Sequence, residues 1–508
     1  MTAYTFDILI ARGRRILVDM EGFRLPRNHI TFLLGESGIG KSLTGKALYG
    51  LLDPEQLNVV INGKQYRSYR RDELTRRFQR DGFFVFQEPS THLNPLMTLE
   101  EQILEGSLAR AARPETILRE LWKDSTAGEL IELLGVYPKP HRPSGGEKQR
   151  ILCAMAFMKM EMAAAEDGAD PLFVFDEPTG SLDNRYRDIV LEMLFTRFRR
   201  RPSTVLLITH DYSMISFVNR NFPDLAPRID FQELSLGPDG LHLKEFRPET
   251  YSTWLSQQRP HRKEQGSPGA GPPLLRVESG MEVFGRALRF SREPAGRGEE
   301  VPLILHRASL AYLKAPSGTG KTTMVKVLMG LLRGRNLSAR IGTMELDEGT
   351  PRHFWRKHIW GRKMTMVFQH ADEALNLRAK VRDVFSGLPL RGRISRTAIE
   401  EEVRAFFGSG AGSAFFDRTV GTLSGGQKQR LNLLRSLLLG ADLIILDEPL
   451  NGLDFASMQR VLKLLQERME EGKALLIISH NEEIFDALIA PENVYYLSAG
   501  LLSSRSRS

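Results

Sequence analysis

The chain has 508 residues, of which 41% are hydrophobic and 26% are charged; this composition is typical of folded domains, and the length suffices for at least two of them. The 70 basic and 62 acidic residues leave a net charge of +8, which favours a mildly basic, solvated surface over a nucleic-acid-binding one. The single cysteine, Cys153, excludes an internal disulfide framework and a cysteine-rich metal cluster, and it fits a reducing, cytoplasmic setting.

Neither a secretion signal nor a membrane span is predicted. The first residues, MTAYTFDILIARGRR, carry charges early and lack the apolar core of a signal peptide. The chain contains no run of about 18 apolar residues, as a transmembrane helix would need. Its longest apolar runs, 443–446 and 474–478, have the length of buried strands.

Short apolar strands alternate with helical segments along the chain. In sequence order the strands are 30–34 (ITFLL), 172–176 (LFVFD), 204–209 (TVLLIT), 309–313 (SLAYL), 443–447 (LIILD) and 474–479 (ALLIIS). The strands at 30–34 and 309–313 each lead into a glycine-rich loop and then a helical stretch. This alternation predicts an α/β fold in which each half is a mainly parallel sheet covered by helices.

Five short motifs occur twice, in the same order and 270 to 282 residues apart. They are GESGIGKS (35–42) with APSGTGKT (315–322), VFQ (85–87) with VFQ (367–369), PSGGEKQR (143–150) with LSGGQKQR (423–430), FVFDEP (173–178) with IILDEP (444–449), and ITHD (208–211) with ISHN (478–481). Because chance does not repeat five ordered motifs at nearly one spacing, the chain is a duplicated domain.

The duplication suggests where the domains begin and end. The turn GPDG (237–240) between alternating apolar runs predicts a hairpin near the end of the first domain. A stretch rich in proline, glycine and charge follows it and reads as a flexible linker. The predicted order is a first domain at 1–257, a linker at 258–273, a second domain at 274–502 and a disordered tail at 503–508.

Two glycine-rich loops follow the P-loop pattern G-x-x-x-x-G-K-[ST] between a strand and a helix. Glycines let backbone N–H groups come close to phosphate, Lys41 is expected to reach the outer phosphates, and Ser42 supplies an oxygen to magnesium. The first loop comprises Gly35, Glu36, Ser37, Gly38, Ile39, Gly40, Lys41 and Ser42. The second comprises Ala315, Pro316, Ser317, Gly318, Thr319, Gly320, Lys321, Thr322 and Thr323, with Ala315 in place of the first glycine.

Each half also carries an Asp-Glu pair at the end of an apolar strand. Asp176 and Asp447 come where a carboxylate can hold a magnesium-bound water beside the phosphates. Glu177 and Glu448 follow directly and are placed to polarise the attacking water. With a P-loop upstream in the same domain, we prefer this interpretation to an acidic helix cap.

A histidine and a glutamine recur at matching places in the two halves. His210 and His480 each follow an apolar strand, roughly 30 residues after the Asp-Glu pair. A lone histidine there is more often structural, but its repetition favours a contact with the γ-phosphate. Gln87 and Gln369 likewise end apolar strands and are candidates for contacts with the magnesium ion and the attacking water.

A third motif, Ser-Gly-Gly followed by helix-forming residues, predicts a helix N-terminus with exposed amides, which is an anion site. The residues are Ser144, Gly145 and Gly146 in the first half and Ser424, Gly425, Gly426 and Gln427 in the second. A domain that already has a P-loop has little structural need for a second phosphate-binding loop. We therefore predict that each motif acts in trans, on the nucleotide held by the other half.

In two copies that cover nearly the whole chain, these motifs resemble those of the ABC ATPase family. The resemblance implies two tandem P-loop NTPase domains, each with a helical subdomain, that bind ATP and Mg²⁺ and hydrolyse ATP. It also implies that the domains pack head to tail, with each P-loop facing the other half's Ser-Gly-Gly motif, which is the family's signature. The segments 180–183 and 451–454 look like the family's D-loops.

Within the family, the segment 86–103 (FQEPSTHLNPLMTLEEQI) resembles the oligopeptide, dipeptide and nickel importer branch, and 368–377 (FQHADEALNL) keeps a fainter version. The resemblance implies a subunit that energises separate membrane permeases and works with a solute-binding protein. It places the chain peripherally on the cytoplasmic face of the inner membrane. It also implies that the segment after Gln87 meets the permeases.

Two other functions stay open at this point. One is a soluble tandem ABC ATPase that remodels a protein, a ribosome or a nucleic acid, and the other is a regulatory nucleotide-binding module without turnover. The proline- and glycine-rich linker differs from the helical linker of translation-factor members, and one cysteine excludes the zinc-binding DNA-repair type. A methanogen-type reductase activator also has two cassettes in a chain of this size. Both Asp-Glu pairs argue against a module without turnover.

Departures from the family pattern predict that the two ATP sites are unequal. Pro143 and Glu147 replace the usual Leu and Gln of the first signature, and Ala315 opens the second P-loop. A negative charge at Glu147 would weaken phosphate binding if the side chain points at the phosphate. No aromatic residue lies at the expected adenine-stacking position near residues 11 and 12; Phe284 and Phe290 are candidates in the second half.

Overall fold

The chain divides into two compact units, Met1–Tyr251 and Ser252–Ser508. The computed structural model describes residues 3–105, 114–123, 126–137, 143–163, 171–180, 182, 184–237, 240–258, 272–294, 298–316, 318–388, 395–408 and 411–501. Most of the predicted linker and the whole predicted tail lie outside these residues, so the domain bounds proposed above stay predictions.

The first unit begins with strands and places most of its helices between the sixth and ninth strands. Its strands are β1 (Ala3–Arg12), β2 (Arg15–Pro26), β3 (Ile30–Gly35), β4 (Asn58–Ile61), β5 (Lys64–Gln65), β6 (Phe83–Val85), β7 (Leu172–Asp176), β8 (Thr204–Ile208), β9 (Ile229–Gly237) and β10 (Gly240–Glu245). Its helices are α1 (Lys41–Leu48), α2 (Tyr66–Tyr69), α3 (Glu73–Asp81), α4 (Leu99–Glu105), α5 (Pro114–Leu121), α6 (Ala127–Leu134), α7 (Gly145–Ala163), α8 (Asn184–Arg200) and α9 (Ser213–Asn221). Helix α10 (Pro248–Gln258) contains the division between the units.

The strands of the first unit form two sheets. The larger has the order β10-β9-β3-β8-β7-β6, and its pairs are parallel from β9 to β6. Every residue of β3, β7 and β8 is buried, because helices cover both faces of a parallel sheet. The smaller sheet, β2-β1-β4-β5, is antiparallel. The predicted hairpin is confirmed, with Gly237 paired to Gly240.

The second unit repeats this plan. Its strands are β11 (Leu275–Val277), β12 (Met281–Val283), β13 (Arg286–Ser291), β14 (Leu303–Leu305), β15 (Leu310–Lys314), β16 (Ser338–Ile341), β17 (Met344–Asp347), β18 (Met364–Val367), β19 (Leu443–Asp447), β20 (Ala474–Ile478) and β21 (Val494–Leu501). Its helices are α11 (Lys321–Leu328), α12 (Arg352–Phe354), α13 (Arg396–Phe407), α14 (Ser413–Asp417), α15 (Gly425–Leu438), α16 (Phe455–Glu470) and α17 (Glu482–Leu488).

The second unit, like the first, has one larger and one smaller sheet. The larger runs β12-β13-β21-β15-β20-β19-β18 and is parallel from β21 to β18. The smaller, β14-β11-β16-β17, is antiparallel. The predicted α/β fold and helical regions are therefore confirmed, whereas the antiparallel sheet of each half was not predicted. No helix in the described part of the chain combines the length and the apolar character needed to cross a membrane.

The two P-loop strands end differently. Gly35 is the last residue of β3 and pairs with Leu234 of β9, and its φ is +139°. A Cβ at this position would lie 2.4 Å from the carbonyl oxygen of Leu234, a backbone atom that cannot move aside alone. Strand β15 ends one residue before Ala315, and Ala315 does not have a positive φ. The alanine therefore fits its backbone without strain.

We predict opposite outcomes for two reciprocal substitutions. Gly35→Ala should lower the free energy of unfolding by about 1–3 kcal/mol, because the new side chain enters a strained φ and meets a carbonyl. Ala315→Gly should cost only about 0.4–1 kcal/mol, through the greater freedom of the unfolded chain. Urea unfolding of both variants measures this difference, and equal losses would contradict the assigned backbone conformations.

Candidate active sites

The first P-loop wraps around the ammonium group of its lysine. Lys41 is buried at the start of α1, and its Nζ donates to the carbonyls of Gly35 at 2.6 Å and Glu36 at 3.0 Å. Gly38 and Gly40 have positive φ values of 78° and 119°, which only glycine adopts readily. A positive charge held among backbone groups at a helix N-terminus is suited to phosphate.

The second P-loop has similar lysine contacts and glycine φ values, but several of its side chains differ from those of the first. Lys321 Nζ donates to the carbonyls of Ala315 at 2.5 Å and Pro316 at 3.4 Å. Gly318 and Gly320 have φ values of 76° and 103°, close to those in the first loop. Pro316 stands where the first loop has Glu36, and a proline has no N–H to offer a phosphate. Ser317 lies outside the described residues.

In both halves a hydroxyl group on the P-loop helix donates a hydrogen bond to the aspartate that ends another parallel strand of the same sheet, β7 or β19. Ser42 Oγ lies 2.8 Å from Asp176 Oδ1, and Thr322 Oγ1 lies 2.8 Å from Asp447 Oδ2. Burial raises the pKa of Asp176 to about 6 and also raises the pKa of Asp447. In each half the hydroxyl group and the aspartate predicted to bind magnesium therefore lie next to each other.

A divalent cation fits these groups. Asp176 is fully buried, and its Oδ2 has no hydrogen-bond partner among the described residues. A buried carboxylate oxygen without a partner is costly unless something charged or polar meets it. Carboxylate and hydroxyl oxygens are the protein ligands that Mg²⁺ prefers. Ser42 and Asp176, and in the second half Thr322 and Asp447, would hold the ion.

Glu177 is paired directly with His210 in the first half. It is buried, with a φ of 48°, and its Oε1 lies 2.8 Å from His210 Nδ1. Burial alone would raise the pKa of Glu177, but the charge of His210 and the hydrogen bond outweigh burial and lower it. Burial likewise lowers the pKa of His210, while Glu177 raises it more. These two predicted catalytic side chains therefore form a short hydrogen bond that favours the charged form of each.

Glu448 is held differently in the second half. Its φ is 51°, and its Oε2 accepts hydrogen bonds from Ser479 Oγ at 2.9 Å and from the His480 backbone N–H at 3.0 Å. The His480 ring nitrogen Nε2 is 3.5 Å from Oε1, too far for a good hydrogen bond. Burial raises the pKa of Glu448 to about 7. The second carboxyl group is thus easier to protonate than an ordinary glutamate side chain.

The two glutamines follow the carboxyl-terminal ends of parallel strands, as the aspartates and glutamates do. Gln87 follows β6 by two residues, and Val85 of β6 pairs with Phe175 of β7. Gln369 follows β18 in the same way, with Val367 paired to Leu446. Gln87 is exposed and Gln369 half-buried, and neither side chain bonds to a described residue. Their contacts with magnesium and water therefore stay a prediction.

The signature motifs begin helices α7 and α15 with the same cap. Ser424 Oγ accepts the N–H of Gln427, and Gln427 Oε1 accepts the N–H of Ser424 at 3.1 Å. In the first half Glu147 Oε2 accepts the N–H of Ser144 at 2.6 Å. The Glu147 carboxylate thus turns back to its own helix and occupies the place of the Gln427 amide oxygen. This geometry weakens the charge argument for unequal sites.

The structure also separates the aromatic candidates for adenine stacking. Phe290 is buried in the hydrophobic core of the second unit, so its ring is not available. Phe284 is 81% exposed in the turn between β12 and β13. Of the D-loop residues, Ser181 and Asp183 lie outside the described part of the chain, and Asp454 caps α16 by accepting the Ser457 N–H.

The hydroxyl residue before each histidine was not identified from the sequence as part of the site. Ser479 Oγ donates to Glu448, and Thr209 Oγ1 lies 3.5 Å from Glu177 Oε2. Each hydroxyl also accepts the N–H two residues later, from Asn481 and Asp211. The motifs ITHD and ISHN carry this signal, because a hydroxyl residue recurs beside both histidines.

Curated relatives align along nearly the whole chain. The "Peptidoglycan transport ATP-binding protein YejF" of Agrobacterium fabrum is 27% identical over 93% of this chain and 86% of its own length. The "Glutathione import ATP-binding protein GsiA" of Shigella dysenteriae is 26% identical over 94% of this chain and 81% of its own length. Both are ATP-binding proteins whose names refer to transport or import.

Solved structures with two cassettes have the same fold. A structure titled "RNase-L Inhibitor" superposes with a TM-score of 0.58 at 17% identity and covers 96% of this chain and 89% of that one. An archaeal ribosome recycling factor, aABCE1, gives a TM-score of 0.58 at 18% identity over 97% of this chain and 89% of that one. At these identities the likeness concerns the fold alone.

The family model described as "ABC transporter" matches residues 19–180 and 299–451, together more than half of the chain. Each matched region contains a P-loop, a signature motif and an Asp-Glu pair. The chain therefore belongs to the ABC transporter family, and it is an ATPase that binds ATP and uses Mg²⁺.

Proposed function

We propose that the chain is the energising subunit of an importer, peripheral on the cytoplasmic face of the inner membrane. It would work with separate permeases and a solute-binding protein and serve peptides, nickel or similar small solutes. The observation that carries this proposal is the alignment over 93–94% of the chain with two transport or import ATP-binding proteins. The importer-like segment after Gln87 supports it.

The role of each site residue follows from the contacts above. In each half the P-loop lysine would leave its backbone carbonyls for the outer phosphates of ATP. Magnesium would supply charge neutralisation at the β- and γ-phosphates. Glu177 and Glu448 would orient the attacking water and accept its proton, and His210 and His480 would contact the γ-phosphate. The φ values of 48° and 51° at the two glutamates are backbone strain of the kind found at functional sites.

We predict that Glu177→Gln together with Glu448→Gln abolishes hydrolysis and preserves ATP binding. An amide keeps the size of the carboxyl group but cannot accept a proton, so turnover should fall by at least about 100-fold. Phosphate release and equilibrium binding of ATP measure the two effects. Glu467→Gln, at an exposed position of α16, is the matched control. Undiminished hydrolysis in the double variant would refute the catalytic assignment.

The segment that follows Gln87 presents an apolar side chain to solvent. Leu96 is 83% exposed, whereas Leu93 of the same segment is buried. The backbone forms a turn at this point, in which Asn94 Oδ1 accepts the Leu96 N–H at 3.0 Å. An exposed leucine on an ordered loop fits a partner surface. We assign this segment, residues 93–97, to contact with a permease.

The second half offers a natural control for this segment. Asn376 Oδ1 accepts the Arg378 N–H at 3.1 Å, so the same turn forms with an arginine at the position equivalent to Leu96. An arginine is therefore compatible with the turn itself. Leu96→Arg tests partner binding without removing a buried side chain.

We predict that Leu96→Arg, alone or with a charged residue at Met97, abolishes co-purification with the permeases and leaves the unfolding midpoint unchanged. Burying an unpaired charge at an apolar contact is unfavourable. Arg378→Leu should not weaken co-purification. Normal permease binding by a folded Leu96→Arg variant would exclude this segment as the coupling surface, and co-purification with ribosomes or nucleic acid instead of permeases would contradict the importer assignment.

A further inference from the structure

A buried amide from the signature helix binds the carbonyl group immediately before each candidate glutamine. Gln149 of α7 is fully buried, and its Nε2 donates to Phe86 O at 3.2 Å. In the second half two amides of α15 reach Phe368 O: Gln429 Nε2 at 3.4 Å and Asn432 Nδ2 at 3.2 Å. We call these contacts the amide clamp.

The clamped carbonyls lie just beyond the sheet. The last parallel pair of β6 is Val85 with Phe175, so Phe86 O has left the ladder that would otherwise satisfy it. A half-buried carbonyl at a strand end needs another donor. In the second half the last pair of β18 is Val367 with Leu446, and Phe368 O is in the same position. The clamp therefore fixes the peptide from which each glutamine side chain projects.

A second contact from the same helix follows on the other side of the glutamine. Lys148 Nζ lies 3.2 Å from Ser90 Oγ, and Lys428 Nζ lies 2.6 Å from Asp372 Oδ1. Lys148 and Lys428 directly precede the clamp glutamines. Each signature helix therefore forms hydrogen bonds with the chain on both sides of Gln87 or Gln369.

The hydrogen bonding of the Gln149 side chain indicates that its amide serves this contact. Its Oε1 has no hydrogen-bond partner among the described residues, although it is buried. An unsatisfied buried oxygen costs free energy, and an apolar side chain of the same length would not carry that cost. The donor group is the part of the side chain with a partner.

We propose that Gln149, and Gln429 together with Asn432, are positioning residues for hydrolysis. They couple each signature helix to the candidate glutamine of its own half, so that a displacement of the helix reorients Gln87 or Gln369. The proposal rests on the proposed role of these glutamines at the magnesium ion and the attacking water. It assigns no contact with nucleotide to the clamp residues themselves.

Gln149→Met removes the donor while keeping the length of the side chain. The turnover number for ATP should fall roughly fivefold, the effect of losing about one hydrogen bond, while KM for ATP stays within about twofold because the P-loop is untouched. Deuterium uptake by residues 86–92 should rise in the variant, which reports on the first half alone. Unchanged turnover and uptake would overturn the proposal.

Gln87→Ala separates failure of the clamp from failure of the site. If Gln87→Ala lowers turnover and Gln149→Met does not, the clamp is wrong and the glutamine's role stands. If Gln87→Ala leaves turnover unchanged, the glutamine's role is wrong and the clamp proposal falls with it. In the Gln87→Ala background Gln149→Met should cause no further loss.

The second half suggests a substitution that should compensate for Gln149→Met. Leu152 is the first-half equivalent of Asn432, eight residues after the signature serine in both helices. Adding Leu152→Asn to Gln149→Met supplies the second amide that α15 uses, and it should restore at least about half of the lost turnover. A purely structural role predicts a further loss instead, because a polar group replaces a buried leucine. No recovery in a variant with an unchanged unfolding midpoint would overturn the proposal.

Discussion

The hydroxyl group at the start of each P-loop helix donates a hydrogen bond to the aspartate at the end of a parallel strand of the same sheet, at 2.8 Å in both halves. This bond joins α1 to β7 and α11 to β19. Because the carboxylates are buried, they have lost hydrogen bonds to water, and this bond replaces part of that loss. Strand β8 lies between β3 and β7, and β20 lies between β15 and β19, and all these parallel strands end on the same side of the sheet. The lysine, the glutamate and the histidine of each half are therefore arranged around this bond.

The two halves differ around this shared centre. Glu177 is hydrogen-bonded to the His210 ring, while Glu448 accepts bonds from a serine hydroxyl and a backbone amide. Burial raises the pKa of Glu448 to about 7, whereas His210 lowers the pKa of Glu177, so Glu448 is the easier of the two carboxyl groups to protonate. Pro316 removes one backbone donor from the second P-loop. The prediction of unequal sites therefore depends on these local contacts more than on Glu147, whose carboxylate caps its own helix.

The sequence predicted the parallel strands and the residues at their ends, because buried parallel strands are continuous apolar runs and the motifs follow them directly. The antiparallel sheets were missed although β1 carries a signal, with Phe6, Ile8 and Ile10 buried at alternate positions. The direction of Glu147 was also accessible, since Ser144-x-x-Glu147 is a capping-box pattern.

Other features depend on side-chain geometry that motifs do not encode. The distance between His210 and Glu177 depends on rotamers, and the same His-Glu combination gives a longer contact in the second half. The buried donation from Gln149 to Phe86 depends on how α7 packs beside β6, a long-range contact. The motif SGGEKQR contains Gln149 but does not show which atom it meets.

We propose that each half holds one divalent ion through its hydroxyl and aspartate. The most direct test is electron paramagnetic resonance of Mn²⁺ bound in the presence of saturating ATP, with the bound ions counted per chain. We expect one ion in each half, the loss of one ion in Asp176→Ala and of the other in Asp447→Ala. An unchanged number of bound ions in the variant with both substitutions would contradict the account.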